Sequence, residues 1–205
     1  MTNKIARFPA AAFILAFAAL AFSQSEPNKD FPNISIKNFG QMDERYYRGA
    51  RPAEGKGQFE ALKALGIQTI IDLQAEPRAY EKLEAEAAGL RYINIPMEDG
   101  GYPKTEHIEE FLRLANDPAT GVFYAHCAGG RHRTGITAAA YRMTKYGWGI
   151  EQAYKEMKNF DFYSSWGHGG QKKFILEYAA RLEAAKAAAP SVVDGAASGK
   201  SGSQK

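Results

Sequence analysis

The chain has 205 residues, a formal net charge of +3 and a single cysteine. So mild a charge, without a long basic run, argues against nucleic acid as the main partner. One cysteine excludes an intramolecular disulfide as the staple of the fold, and leaves that residue as a small buried hydrophobe or a chemical group.

The N-terminus has a short basic region, Lys4 and Arg7, then an apolar run from Ala10 to Phe22, with Ala21 and Ser23 at the −3 and −1 positions of a cleavage site. This is the pattern of a secretory signal peptide over residues 1–23, and it predicts export to a periplasm or the exterior. The run is short for a membrane span of about 20 residues, so no stable anchor is expected after cleavage. At the other end, residues 187–205 are small and polar with no apolar period, and are expected to be disordered. Between them, residues 31–182 suit one domain.

Within that domain, "NISIKNF" alternates and predicts a strand, and "ERYYRGARP" predicts a second that stops at Pro52. "GQFEALKALG" predicts a helix with Phe59, Leu62 and Leu65 on one face, followed by a buried strand "QTIIDL". Pro77 opens a helix that ends at Gly89, and "RYINIPM" is the next strand. "EDGGYPK" is a loop, and Thr105 is the predicted N-cap of the helix that follows, with Ile108, Phe111, Leu112 and Ala115 on its buried face. A short strand, "GVFYAH", leads to three helical segments, "RTGITAAAYRMTKYG", "GIEQAYKEMKNF" and "GGQKKFILEYAARLEAA". Strands alternating with helices predict an α/β fold with a central, mostly parallel sheet flanked by helices.

Cys127 falls on the strand-to-helix turn "HCAGGRHRTG". Gly129 and Gly130 let the backbone curl, which turns successive N–H groups inward as an anion nest, and the following helix adds the positive end of its dipole. Ala128, Gly129, Gly130, Arg131, His132 and Arg133 are therefore candidate phosphate-binding residues, with Arg133 able to close a bidentate fork on the anion. The same field lowers a thiol's pKa, so Cys127 is the candidate nucleophile. Thr134 is placed to hydrogen-bond the sulfur, and His126 to support the cysteine from below. His126, Cys127 and His132 lack further spaced ligands and are flanked by Arg131 and Arg133, so no metal is expected. Other cofactors are not expected either.

These ten residues resemble the cysteine-dependent protein tyrosine and dual-specificity phosphatases: a histidine, the cysteine, five residues, an arginine, then Ser/Thr. The resemblance runs from about Tyr46 to about Tyr178 and looks closest to the atypical dual-specificity phosphatases of plants and fungi, many of which act on inositol pyrophosphates. It implies a protein tyrosine phosphatase-like fold and hydrolysis of phosphate monoesters through a cysteinyl-phosphate. Its substrate would be a phosphorylated protein or a small phosphorylated molecule, with inositol phosphate or pyrophosphate as an alternative. An anion-binding module without turnover is the alternative of another class. Ala128 and Gly129 depart from the basic residues that the pyrophosphate phosphatases carry there. The resemblance also implies a general acid on a mobile loop upstream. Asp99 occupies that place, with Glu98 second and Asp161 a weaker candidate. Asp72 is expected to be structural and Asp117 a turn residue, and His107 to be solvated. Arg48, Arg51 and Lys104 are candidates for further phosphate contacts. Phe160, Phe162, Tyr163 and Trp166 are expected to serve the core more than the pocket wall.

Overall fold

The computed structural model describes residues 31–188. The signal-peptide expectation, and the tail from residue 189 on, lie outside the described residues. The elements in chain order are β1 (Gly40–Gln41), β2 (Tyr46–Ala50), α1 (Gln58–Ala64), β3 (Thr69–Gln74), α2 (Ala79–Ala87), β4 (Arg91–Met97), α3 (Thr105–Asn116), β5 (Phe123–Cys127), α4 (Arg133–Tyr146), α5 (Ile150–Asn159) and α6 (Gly169–Ala188). A 3₁₀ turn, Pro118–Thr120, precedes β5, with Asp117 Oδ1 accepting from the Ala119 amide.

The five strands form one sheet in the order β1-β2-β5-β3-β4, parallel except for the β1–β2 pair. This is the α/β arrangement predicted. Cys127 ends the central strand, where Ala50 of β2 is its partner. The strand-to-helix turn after it therefore opens at the carboxyl edge of the sheet, where α/β proteins place their ligands.

Alternation along the strands divides two cores. Ile70 and Tyr124 face α1 and α2 with Phe59, Leu62 and Ala85, whereas Ile71, Leu73, Phe123 and Ala125 face α3 to α6 with Phe111, Ile136 and Phe174. Cys127 belongs to the second side, and His126, one residue earlier, points to the first.

Four expectations are corrected. "NISIKNF" is not a strand: Ile34, Ile36 and Phe39 are buried, but the segment is built of turns, with Asn38 at φ 53°. Its alternation reflects a chain lying over the first core, and it does not pair along a ladder. The helix predicted to open at Pro77 begins at Ala79 with Arg78 as cap. Lys104 caps α3, and Thr105 is its first residue. Residues 187 and 188, expected in the tail, are the last of α6.

Candidate active site

The turn between β5 and α4 is shaped from behind. The Asn38 Nδ2 amide donates to the Gly129 carbonyl at 2.9 Å, Arg48 Nη2 donates to the Gly130 carbonyl at 2.5 Å, and the Arg51 amide donates to the Ala128 carbonyl at 3.4 Å. Three successive carbonyls are thus drawn outward. Their amides are left facing the concave side, which is what an anion nest requires. Gly130 sits at φ 66°, and a Cβ there would come within 2.4 Å of the Gly49 carbonyl carbon. Only glycine combines that conformation with so close an approach to β2.

Cys127 is buried at the floor of this curl. Burial alone pushes its thiol up. The Thr134 hydroxyl, the Arg133 guanidinium and the amides of Thr134 and Gly129 outweigh burial and hold the thiol below the ordinary cysteine range. The Thr134 hydroxyl is buried without an oxygen or nitrogen partner, so its hydrogen serves the sulfur.

Arg133, the first residue of α4, is buried. Its Nη1 donates to the Met97 carbonyl at 3.1 Å, and Nη2 lies 3.4 Å from Asp99 Oδ1. These contacts align the guanidinium across the mouth of the turn, between β4 and the loop after it. Asp99 itself is 62% exposed, so this pair is screened by water and contributes little stability. The loop is held by its backbone instead: the Gly101 amide donates to the Gly167 carbonyl at 3.1 Å, and Gly170 packs so closely that a Cβ would lie 2.4 Å from the Gly101 carbonyl. Tyr102 extends the anchor, donating its hydroxyl hydrogen to Glu177.

A cleft of about 490 Å³ opens over Ala128 and Arg133 and runs along Arg51, Gln74 to Arg78, Glu98 and Asp99. Asp99 and Glu98 both reach it, whereas Asp161 is exposed at the end of α5 and does not line it.

The remaining candidates separate by position. Arg48 is fully buried behind the turn, with its guanidinium 4.0 Å from the Phe160 ring, so it cannot meet substrate and instead holds a loop carbonyl. Lys104 lines a different, 90 Å³ hollow with Glu98 and a half-buried His107, corrected from the solvated place expected of it. Of the three extra cations only Arg51 faces the cleft, and Arg78, which sequence reasoning passed over, joins it. Arg131 turns to the rim, 5.5 Å from the Tyr163 ring. Phe162 is buried in the core as expected, whereas Trp166 is 90% exposed and serves neither core nor cleft wall, a correction to its expected place.

His132 stacks on His168, with ring centroids 3.5 Å apart and planes inclined by 6°. Burial, then His168 and Arg131, lower the His132 pKa to about 4, which keeps that ring neutral. Asp99, His132 and His168 each place one potential ligand atom within 4.8 Å of the others. Imidazole lone pairs lie in the ring planes, however, and two parallel stacked planes do not converge on one ion. The other such grouping among the described residues, Asp72, Glu81 and His126, is fully buried. Its carboxylates are already engaged by donors: Gln74 and Tyr92 donate to Asp72, and Arg78 and Gln74 donate to Glu81.

Compared with known proteins, residues 16–171 match the family described as a DSP-PTPase phosphatase fused to NAD+ kinase. The chain belongs to this family. Among proteins similar to this chain, the putative tyrosine-protein phosphatase OCA1 of Mycosarcoma maydis is 28% identical over 144 residues, covering 68% of this chain and 85% of OCA1. The mRNA-capping enzyme of Danio rerio is 31% identical over 99 residues, which cover 45% of this chain. The chain spans only 17% of that enzyme's length. The core catalytic domain of the PP-IP phosphatase SIW14 from S. cerevisiae shares the fold, with a TM-score of 0.61 at 22% identity over 74% of this chain and 93% of that one.

Proposed function

We propose that the chain is a cysteine-dependent phosphatase that hydrolyses phosphate monoesters through a cysteinyl-phosphate. The observation that carries this reading is the convergence, on one curled turn, of a buried low-pKa thiol, an aligned arginine and a loop carboxyl at that arginine's edge. The turn's amides and Arg133 bind the non-bridging phosphate oxygens. The Cys127 thiolate attacks phosphorus and the P–O bond to the alcohol or phenol breaks. Asp99 gives its proton to the leaving oxygen. In the second step water attacks phosphorus, Asp99 takes its proton, and the sulfur departs as a thiolate under the Thr134 hydroxyl. Glu98 is the alternative acid.

The cleft supports a substrate carrying one phosphate, on a protein or a small molecule. Arg51, Arg78 and Arg133 are offset along it by Glu76, Glu98 and Asp99. That balance suits a singly phosphorylated group better than an inositol pyrophosphate, whose many charges need an excess of cations. Inositol pyrophosphate hydrolysis, the activity in the description of SIW14 as a PP-IP phosphatase, is therefore the lesser reading.

The test is phosphate release from phosphotyrosine peptide, phosphoserine peptide, inositol hexakisphosphate and a pyrophosphorylated inositol, with Cys127→Ser, Arg133→Lys and Asp99→Asn beside the unmodified protein. Turnover of the peptides that disappears in Cys127→Ser is expected. Release that survives Cys127→Ser overturns the mechanism, and binding without release by the unmodified protein makes the chain a phosphate-binding module. Export is part of the proposal and rests on the N-terminal pattern alone. Intact-mass analysis of the protein from its native host tests it, since a chain that still begins at Met1 overturns the cleaved signal peptide.

A further inference from the structure

The face of the sheet opposite Cys127 holds a second set of titratable groups that the reaction scheme does not use. His126 has no exposed side-chain surface, and neither ring nitrogen makes a hydrogen bond. Its Nδ1 lies 3.9 Å from Asp72 Oδ1 and its Nε2 lies 3.5 Å from Glu81 Oε2. Asp72 is opposite His126 in the β3–β5 register, and Glu81 reaches in from the first turn of α2.

The donors already present divide the two carboxyls unequally. Asp72 accepts from the Gln74 amide and side chain on Oδ1, and from the Tyr92 hydroxyl on Oδ2. Glu81 Oε1 accepts from the Arg78 amide and from Gln74 Nε2, whereas Oε2 has only a 3.4 Å contact from Gln74 and otherwise faces the imidazole. An imidazole between two carboxylates cannot satisfy both with a single N–H. With a proton on Glu81 Oε2 the pair is complementary: Nε2 can accept that hydrogen across 3.5 Å, while Nδ1 keeps its own hydrogen on the side of Asp72 Oδ1, 3.9 Å away. Burial beside a second carboxyl favours that proton, raising the Glu81 pKa to about 7, while burial also keeps His126 neutral.

We propose that Glu81 is a positioning residue for the nucleophile: protonated at Oε2, it clamps His126 Nε2 and so fixes the peptide from which Cys127 Sγ rises into the phosphate nest. The ring lies against the Cys127 backbone, so a tilt of the imidazole is felt one residue later at the sulfur. The titratable and charged groups around Glu81 are Asp72 of β3, His126 and Tyr124 of β5, Tyr92 of β4, Tyr80 of α2, and Arg51, whose Nε is 4.0 Å away. Arg51 also donates to Gln74 and lines the cleft, which ties the same cluster to the substrate side. When Glu81 loses its proton, a carboxylate meets the Nε2 lone pair, and the clamp opens or the ring changes tautomer.

The inference rests on Cys127 being the nucleophile, and its test reads the thiol directly. The rate of Cys127 alkylation by iodoacetamide is measured across neutral pH in the unmodified protein, Glu81→Gln and Glu81→Ala, with kcat and KM for an aryl phosphate alongside. Glutamine keeps the acceptor for the Arg78 amide and supplies a permanent N–H toward Nε2. The unmodified protein is expected to show a second inflection near neutral pH besides the thiol's own titration, and Glu81→Gln a single titration with kcat within about twofold. Glu81→Ala is expected to lose roughly 10-fold or more in kcat with KM little changed, as small misplacements of a reacting group do. A purely structural capping role predicts superimposable profiles for the unmodified protein and Glu81→Gln, and that result overturns the proposal even if Glu81→Ala fails to fold. Phosphate release that survives Cys127→Ser overturns the cysteinyl-phosphate mechanism separately, because the alkylation comparison does not depend on turnover.

Discussion

Asp99 Oδ1 lies 3.4 Å from Arg133 Nη2, so the loop that follows β4 meets the first residue of α4 directly across the cleft. The contact puts the carboxyl at the edge of the arginine that would hold phosphate, where a leaving oxygen would emerge. Asp99→Asn is expected to lower kcat by about 10²–10⁴-fold on phenyl phosphate, whose leaving group needs a proton. The loss should shrink on an aryl phosphate with a strongly acidic phenol. An equal loss on both esters would transfer the acid's role away from Asp99, and the same comparison on Glu98→Gln would then locate it.

Gly170 reaches the same loop from α6. A Cβ at this position would lie 2.4 Å from the Gly101 carbonyl and 2.7 Å from the Tyr102 amide, and backbone atoms cannot yield as a flexible side chain can. Gly170→Ala is expected to displace the acid loop while leaving the nest intact. Steady-state kinetics should then show a fall in kcat that depends on the leaving group, with the alkylation rate of Cys127 unchanged. A fall in both would mean that the substitution disturbs α4 and its turn as well.

The motif around Cys127 was legible because its chemistry is local: ten consecutive residues supply the thiol, the glycines, the arginine and the helix start. The parts that give the motif its shape were not, because they come from far along the chain. Asn38 and Arg48 hold loop carbonyls across 91 and 82 residues of sequence, and no local pattern marks either side chain for that task. In sequence Arg48 is only a candidate for a further phosphate contact, since an arginine is expected at the surface, yet β2 is buried on both faces. Glu81 and His168 were passed over for a related reason. One looks like an ordinary first-turn glutamate of a helix, and the other like a loop residue, until the fold sets them against His126 and His132. The segment before β1 shows the opposite failure, since buried alternation without a partner strand mimics a strand.

The carbonyl cradle is itself testable. Removing the Asn38 amide leaves the Gly129 carbonyl without its donor, a loss of about 1 kcal/mol for a typical hydrogen bond. Asn38→Ala should therefore fold, with a modestly lower Tm and a Cys127 alkylation profile shifted to higher pH as the nest relaxes. Gly130→Ala should be far more damaging, since a φ of 66° and a 2.4 Å approach to Gly49 must both be relieved. Thermal unfolding and phosphate affinity check the pair. Gly130→Ala with unmodified-like values in both would disprove the close-approach argument.

Asp43, in the turn between β1 and β2, accepts from the Tyr141 and Tyr146 hydroxyls at 2.6 Å each and from Lys145 at 3.3 Å, and so fastens the sheet's edge to α4. Burial works to raise its pKa, but the two tyrosines, the Arg45 amide and Lys145 outweigh it and hold the carboxyl well below its ordinary 3.8. A depressed carboxylate pKa adds stability that is present above the unfolded value and is lost as pH falls below it. Asp43→Asn is expected to lower Tm at neutral pH by an amount that corresponds to about 1–3 kcal/mol, and the difference from the unmodified protein should vanish in strong acid. A Tm gap that persists unchanged to low pH would show that size or packing, and not charge, is responsible.

Cys127 is the only thiol in the chain, so a stabilised thiolate there has no internal partner with which to form a protective disulfide. Peroxide attack would give a sulfenic acid. That acid either condenses with an external thiol or a backbone nitrogen, or proceeds to the irreversible sulfinic form. Inactivation by hydrogen peroxide is therefore expected, with activity restored by dithiothreitol after brief exposure and lost permanently after long exposure. Inorganic phosphate should slow the reaction, because an anion in the nest covers the sulfur. The relevant readouts are residual activity and the mass of the Cys127 peptide as +16 and then +32 oxygen adducts accumulate. Sustained activity under prolonged peroxide would mean that the sulfur is protonated or shielded, and would count against its role as nucleophile.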